Sequence, residues 1–119
     1  MGNKKHALRA QRANGRLSWH GIDIRAAQGT PVTAVFRGRV IFADWLRGFG
    51  LLTILDHGSD YMTLYGNADV LHKKVGDWVE SGEVIAAAGN SGGQRDTGVY
   101  FEVRHKGQPK DPISWISRP

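Results

Sequence analysis

Short apolar runs alternate with polar positions along the chain and are cut at brief intervals by glycine-containing turns. No segment keeps a 3.6-residue apolar period for long, so the pattern reads as strands. Pro31 to Phe36 and Arg39 to Ala43 read as two strands joined across Arg37-Gly38. Leu51 to Asp56 and Tyr61 to Tyr65 form a second pair around His57-Gly58-Ser59-Asp60, and Val75 to Val79 with Glu83 to Ala87 a third, turning at Ser81-Gly82. A polar, glycine-rich loop, Gly89 to Gln94, leads into Val99 to Arg104. There Val99, Phe101 and Val103 alternate with Tyr100, Glu102 and Arg104, which sends the two sets to opposite faces. Many short strands without a long helix predict an all-β domain, an antiparallel β-sandwich or partly open barrel.

The chain has 119 residues, the size of one domain able to bury a core without a disulfide or structural metal. Cysteine is absent, which excludes a disulfide framework, a thiolate metal cluster and a cysteine nucleophile. The net charge of +5 is carried by Lys4, Lys5, Arg9, Arg12 and Arg16. Residues 1–16 are therefore expected to form a flexible basic arm, and 17–119 the domain proper. From Leu17 onward basic and acidic residues balance, so there is no basic face of the kind that phosphate-backbone binding requires, and no nucleic-acid partner is expected. The first residues lack the apolar stretch of a signal peptide, and Met1 is read as the start of an excised domain.

The stretches Gly29-Thr30-Pro31-Val32-Thr33-Ala34-Val35, Gly48-Phe49-Gly50, Asp56-His57-Gly58, Thr63-Leu64-Tyr65, Val75-Gly76-Asp77-Trp78-Val79-Glu80-Ser81-Gly82 and Phe101-Glu102-Val103-Arg104 carry a family pattern. In order and approximate spacing they resemble the LytM (lysostaphin-type) zinc endopeptidases of the bacterial cell wall. The resemblance runs from about Leu17 to the C-terminus, and it implies a β fold with a groove across one sheet. In active members that groove holds zinc and a peptidoglycan cross-bridge. Their first motif, His-x-Gly-x-Asp, reads Trp19-His20-Gly21-Ile22-Asp23 here, so only Asp23 stands in a ligand position. The second histidine position is Asn67, and the His-x-His pair is replaced by Gly98-Val99-Tyr100.

A catalytic zinc needs about three imidazole, thiolate or carboxylate ligands, and the matched positions supply one. His20 is displaced by one residue, which in an extended segment turns its ring to the other face. His57 belongs to a turn pattern and reads as structural; His6, His72 and His105 are scattered. Ser18, Ser59, Ser81 and Ser91 lack the Gly-x-Ser-x-Gly setting of a serine nucleophile, and the Gly89 to Gln94 loop lacks the lysine of a phosphate cradle. The expectation is a degenerate metallopeptidase homologue with no catalytic residue, metal or cofactor.

Trp in place of the first histidine, Asp44-Trp45-Leu46-Arg47-Gly48-Phe49-Gly50, Ser91-Gly92-Gly93-Gln94, Tyr100-Phe101-Glu102-Val103-Arg104 and Asp111-Pro112 before Trp115 resemble the murein hydrolase activator branch of the family. That resemblance implies a periplasmic domain in Gram-negative bacteria that switches on N-acetylmuramoyl-L-alanine amidases at the division septum, by drawing an inhibitory amidase helix into the former active-site groove. It also implies a parent protein tied to a division-site membrane complex. The groove is expected to be lined by Trp19, His20, Phe49, Tyr65, Asn67, Tyr100, Glu102 and Arg104. Aromatic residues with an arginine suit an interface that receives an amphipathic helix. Trp45, Trp78 and Trp115 are expected to be core or edge packing. The alternatives are a zinc metalloendopeptidase of peptidoglycan that recruits unexpected ligands and a passive peptidoglycan-binding module.

Overall fold

The computed structural model describes residues 21–116; the basic arm, Trp19 and His20 lie outside the described residues. The described chain is nearly all β. The strands are β1 (Gly21–Arg25), β2 (Pro31–Thr33), β3 (Gly38–Leu46), β4 (Gly50–Gly58), β5 (Tyr61–Leu71), β6 (Trp78–Val79), β7 (Val84–Ala88), β8 (Gly98–His105) and β9 (Gln108–Lys110). A single turn of helix, α1 (Ile113–Ile116), follows. The strands form an open antiparallel sheet in the order β1-β8-β5-β4-β3-β6, with β7 joining β2 to β5 and β9 hydrogen-bonded to β8.

The long strand β5 organises this topology because it changes neighbours along its length. Tyr61 to Gly66 pair with β8, whereas Ala68, Val70 and Leu71 pair with β7. The change falls at Asn67, whose φ of 63° places it in the left-handed region that asparagine tolerates better than most residues. Its amide donates to the Phe49 carbonyl at 2.6 Å, so the kink is fastened to the β3–β4 hairpin.

The β4–β5 hairpin forms as its alternation predicts. The other two expected hairpins do not. Pro31–Thr33 pairs with β7 instead of the strand after Arg37-Gly38, and Trp78–Val79 pairs with Gly38 and Arg39. The reason lies in long-range bonds that take up the intervening residues. Ala34 donates to Glu83 and accepts from Gly82, and Val35 donates to the Tyr65 hydroxyl. Segment 34–37 is thereby held away from β3, where a tight turn would have needed it.

Val40, Leu55, Val79, Ile85, Phe101 and Val103 build the core together with Ile22, and Tyr65 lies among them at 2 % exposure. Tyr65, expected in the groove, thus faces the core, where its ring meets Phe101 at 5.4 Å. A chain of hydrogen bonds fixes it there. The Arg37 carbonyl only accepts, so His57 Nδ1 donates to it at 2.8 Å, and His57 Nε2 lies 2.7 Å from the Thr63 hydroxyl. Thr63 donates to the Tyr65 hydroxyl at 2.9 Å, and Tyr65 also receives the Val35 amide at 3.1 Å. Burial pushes the Tyr65 phenol up to about 12, which keeps it protonated at ordinary pH. His57 is therefore structural in this fold.

The tryptophans divide. Trp115 is half-buried in a cluster of rings with Phe36 and Tyr61. Trp45 and Trp78, expected as packing, are 54 % and 57 % exposed. The Arg37 guanidinium lies 4.7 Å from the centre of the Trp78 ring.

Replacing Tyr65 by Phe removes the hydroxyl that accepts the Val35 amide and leaves that donor without its partner. Chemical denaturation should show a loss of about 1–3 kcal/mol, with any function of the outer sheet face unchanged in the folded protein. No loss of stability would contradict this chain of bonds.

Candidate functional site

The register of β8 decides which residues share the face opposite the core. Asp23 and Gly66 flank Tyr100, Gly21 and Leu64 flank Glu102, and Met62 stands beside Arg104. Cross-strand partners point to the same side, so these residues form one patch. Ile22, Phe101, Val103 and Tyr65 go to the other side, into the core.

At the centre of the patch is Glu102, whose side chain is 0 % exposed. Its Oε2 accepts the Tyr100 hydroxyl at 2.6 Å and its Oε1 accepts Arg104 Nε–H at 2.7 Å. A buried carboxylate costs several kcal/mol unless its oxygens are engaged, and here both are. The expected groove floor is thus not three open side chains. Glu102 is sealed beneath Tyr100 and Arg104, and Arg104, 32 % exposed, reaches the surface. Burial, followed by the charge of Glu102 and its hydrogen bond, pushes the Tyr100 phenol far above its ordinary range, and Asp23 adds to the effect.

Gly21 makes the arrangement possible. A Cβ there would come within 2.9 Å of the Tyr100 ring and closer still to the Phe101 carbonyl. With no side chain at 21, Tyr100 lies across β1 and reaches Glu102. Phe49 stands beside it, with the ring centres 5.8 Å apart.

Asn67 is placed elsewhere. It is 7 % exposed and faces the glycine-rich loop, since a Cβ on Gly92 would collide with its Oδ1. The same loop is fastened to the β3–β4 hairpin. Ser91 Oγ accepts the Leu51 amide at 2.8 Å, and the Ser91 carbonyl accepts the Trp45 indole N–H at 3.4 Å. Gly50 and Gly92 approach so closely that neither has room for a side chain. The contact between Trp45 and Ser91 is one that pattern reading missed. The serine and glycines were legible as a loop, but its attachment to the β3–β4 hairpin was not. Past Asp23, a cavity of about 500 Å³ opens between β1 and the residues before β8, crossed by an Arg25–Asp96 ion pair at 3.0 Å.

The residues around Asp23 do not suit a zinc ion. Tyr100 keeps its proton and donates it in a hydrogen bond to Glu102, position 98 has no side chain, and Asn67 is turned to the loop. An added Cβ at Gly98 would stand 2.1 Å from the Ile24 carbonyl, so β1 occupies the space in which a side chain would begin. Among the described residues no group of three or more His, Cys, Asp or Glu side chains is arranged to hold a metal.

A nearly all-β chain built on an open antiparallel sheet of this order defines a LytM-type domain. The chain belongs to Peptidase family M23, whose sequence pattern matches residues 17–112. It is 44 % identical over 108 residues to the murein hydrolase activator EnvC of Escherichia coli K12, covering 91 % of this chain and 26 % of that protein. To the murein hydrolase activator NlpD of Salmonella typhimurium LT2 it is 35 % identical over 97 residues, covering 81 % of this chain and 26 % of that protein. The chain thus spans about a quarter of the length of these curated relatives. Among solved structures it resembles the antimicrobial peptidase lysostaphin of Staphylococcus simulans, with a TM-score of 0.76, 25 % identity and coverage of 83 % of this chain and 43 % of that one.

Two outcomes follow for the centre. Gly98→Ala should lower stability by roughly 1–3 kcal/mol, the usual cost of overpacking, and an unchanged melting temperature would show that β1 yields freely. The pH dependence has a definite sign. Tyr65 and Tyr100 both hold their protons more tightly folded than in the ordinary range, so their contribution is complete below about pH 10. It is lost as the pH rises through the folded value, about 12 for Tyr65. Alkaline denaturation followed by tyrosinate absorbance should show phenol ionisation coupled to unfolding, and free titration of all three tyrosines in the native state would contradict it.

Proposed function

We propose that this domain is a non-catalytic activator of periplasmic N-acetylmuramoyl-L-alanine amidases in septal peptidoglycan splitting, and that it binds the amidase through the former active-site groove. The observation that carries this reading is the Tyr100–Glu102–Arg104 assembly, which fills the centre beside Asp23 with a hydrogen-bonded strut instead of a ligand set. The names of the EnvC and NlpD relatives support an activator role, and a further relative named as a lipoprotein, the NlpD/LppB homolog of Pseudomonas aeruginosa, supports a site of action in the cell envelope.

Arg104 is the anchor. Glu102 engages Nε and so fixes the guanidinium, leaving the two terminal nitrogens to donate to a partner carboxylate or helix carbonyl. Phe49 and Tyr100 supply an aromatic surface for the apolar side of an amphipathic helix. A preordered aromatic and arginine pair is the composition of an interface hot spot.

The test combines the domain, a purified amidase and dye-labelled murein. The domain alone should release no dye, and adding it should raise release by the amidase. Arg104→Ala leaves the buried Glu102 Oε1 without its partner and so also costs stability, and the protein that remains folded should bind the amidase roughly thirtyfold or more weakly, corresponding to about 2–4 kcal/mol for a charge-assisted bond lost from a desolvated interface. Val103→Ala, by contrast, should lower the melting temperature through a core cavity and leave activation by the folded fraction intact. Peptide release by the domain alone in the presence of zinc would favour the endopeptidase alternative. Murein capture that does not depend on amidase and is accompanied by no activation would favour the passive module.

A further inference from the structure

We propose that the partner face runs on past Arg104 to a second anchor, Arg39 with Trp78, and that it receives an amphipathic helix laid across the strands with two carboxylates about three turns apart. The inference rests on the amidase reading and adds which way the helix lies and what it carries. Register places the residues. Met62 stands beside Arg104, Asp56 beside Met62, Arg39 beside Asp56 and Trp78 beside Arg39. Cross-strand partners share a side, so these residues form one row on the face opposite the core, crossing β8, β5, β4, β3 and β6. A second row lies next to it, with Leu64 beside Ile54 and Ile54 beside Phe42. Leu64 is buried there, and Ile54 and Phe42 are half-buried. An apolar row flanked by a charged one is complementary to a helix with one apolar and one polar side.

The charged row has a definite order: cation, apolar, anion, cation, apolar. Neighbouring strands are about 4.8 Å apart, so along the row Arg39 lies about 14 Å from Arg104 and Trp78 about 19 Å. A helix rising about 1.5 Å per residue brings positions i, i+4, i+7, i+11 and i+14 to one side, at about 6, 10.5, 16.5 and 21 Å from the first. The difference between the two spacings, about 2 Å, is within the reach of a long side chain such as arginine. The helix that fits therefore sets an acidic residue on Arg104, an apolar one on Met62, a basic one on Asp56, a second acidic one on Arg39 and a second apolar one on Trp78.

The side chains of the row suit these roles. Arg39 is exposed and, among the described residues, forms no ion pair; its guanidinium lies 6.0 Å from the centre of the Trp78 ring. Arg37, against the same ring at 4.7 Å, is already matched by Glu80 at 3.2 Å. Trp78 is 57 % exposed, and the two guanidiniums steady its indole for an apolar contact. Asp56 commits Oδ1 to the Gly58 amide at 2.9 Å, which leaves Oδ2 for a cation. A cavity of about 430 Å³ opens beside Met62 and Asp56 and gives the residue set on Met62 room to enter. Arginine and tryptophan are the residues that most often dominate binding energy at an interface.

Titration calorimetry of the 119-residue chain with a purified N-acetylmuramoyl-L-alanine amidase tests the proposal. Arg39→Glu should weaken binding roughly tenfold or more, and Trp78→Ala and Asp56→Lys roughly threefold or more each. Lys110→Glu reverses the same charge as Arg39→Glu, but Lys110 stands beside core-facing Val103 on β9, away from the row, and should leave the affinity within about twofold. All four positions are exposed, so the melting temperatures should stay near that of the natural chain. The second anchor is overturned if folded Arg39→Glu and Trp78→Ala bind like the natural chain while Arg104→Ala binds more weakly, or if Lys110→Glu costs as much as Arg39→Glu. Tighter binding by Asp56→Lys would reveal a uniformly acidic partner and overturn the alternating pattern. A natural chain that does not bind the amidase sinks the amidase reading itself, and this proposal with it.

Discussion

A carboxylate shut away from water must have its oxygens engaged, and around Glu102 that requirement orders the functional face. Tyr100 reaches one oxygen only because Gly21 leaves its path clear, and Arg104 reaches the other by aligning its Nε along the strand. The alternation of β8 then sends Phe101 and Val103 into the core, so one strand serves as both wall of the core and floor of the groove. Removing either partner would leave a buried charge short of a bond, which is more costly than the pair is worth by itself.

The surroundings are fastened as firmly as the centre. Asn67 absorbs the change of neighbours in β5, and its amide ties that kink to Phe49. Ser91 ties the glycine-rich loop to β4 and to Trp45, while the glycines at 50 and 92 let two backbones approach closely. On the opposite side, the chain from Val35 through Tyr65 and Thr63 to His57 holds segment 35–37 against the core. A face built from these parts has few rotamers left to lose, which suits the proposed role in binding a partner. A zinc centre asks for a different arrangement, with ligands converging on an open position, and the close approach of β1 to Gly98 works against it.

Local pattern carried much of the fold. Alternation in Val99 to Arg104 separated core from groove residues, and the β4–β5 hairpin followed from two short apolar runs around a glycine turn. Asn67, Gly98 and Tyr100 were expected to stand at ligand positions because of the resemblance to the LytM endopeptidases, which spacing by itself does not supply. Tyr65 was misplaced because its motif neighbour, Asn67, interrupts the strand. The parity of β5 therefore cannot be counted through that position, and burial beside Phe101 settled its face.

The sequence by itself determined the all-β class, the absence of cysteine chemistry and the balance of charge from Leu17 onward. These depend on residue identity and short-range periodicity, which the chain carries in linear order. Tertiary structure alone decided that β2 pairs with β7 and β6 with β3, that Glu102 is sealed between Tyr100 and Arg104, and that Trp45 is exposed beside a serine loop. Each of those rests on groups far apart in sequence coming within hydrogen-bond distance. A strand's pattern states which face is apolar, but the choice of neighbour depends on which distant segment can satisfy its backbone and fill the space beside it.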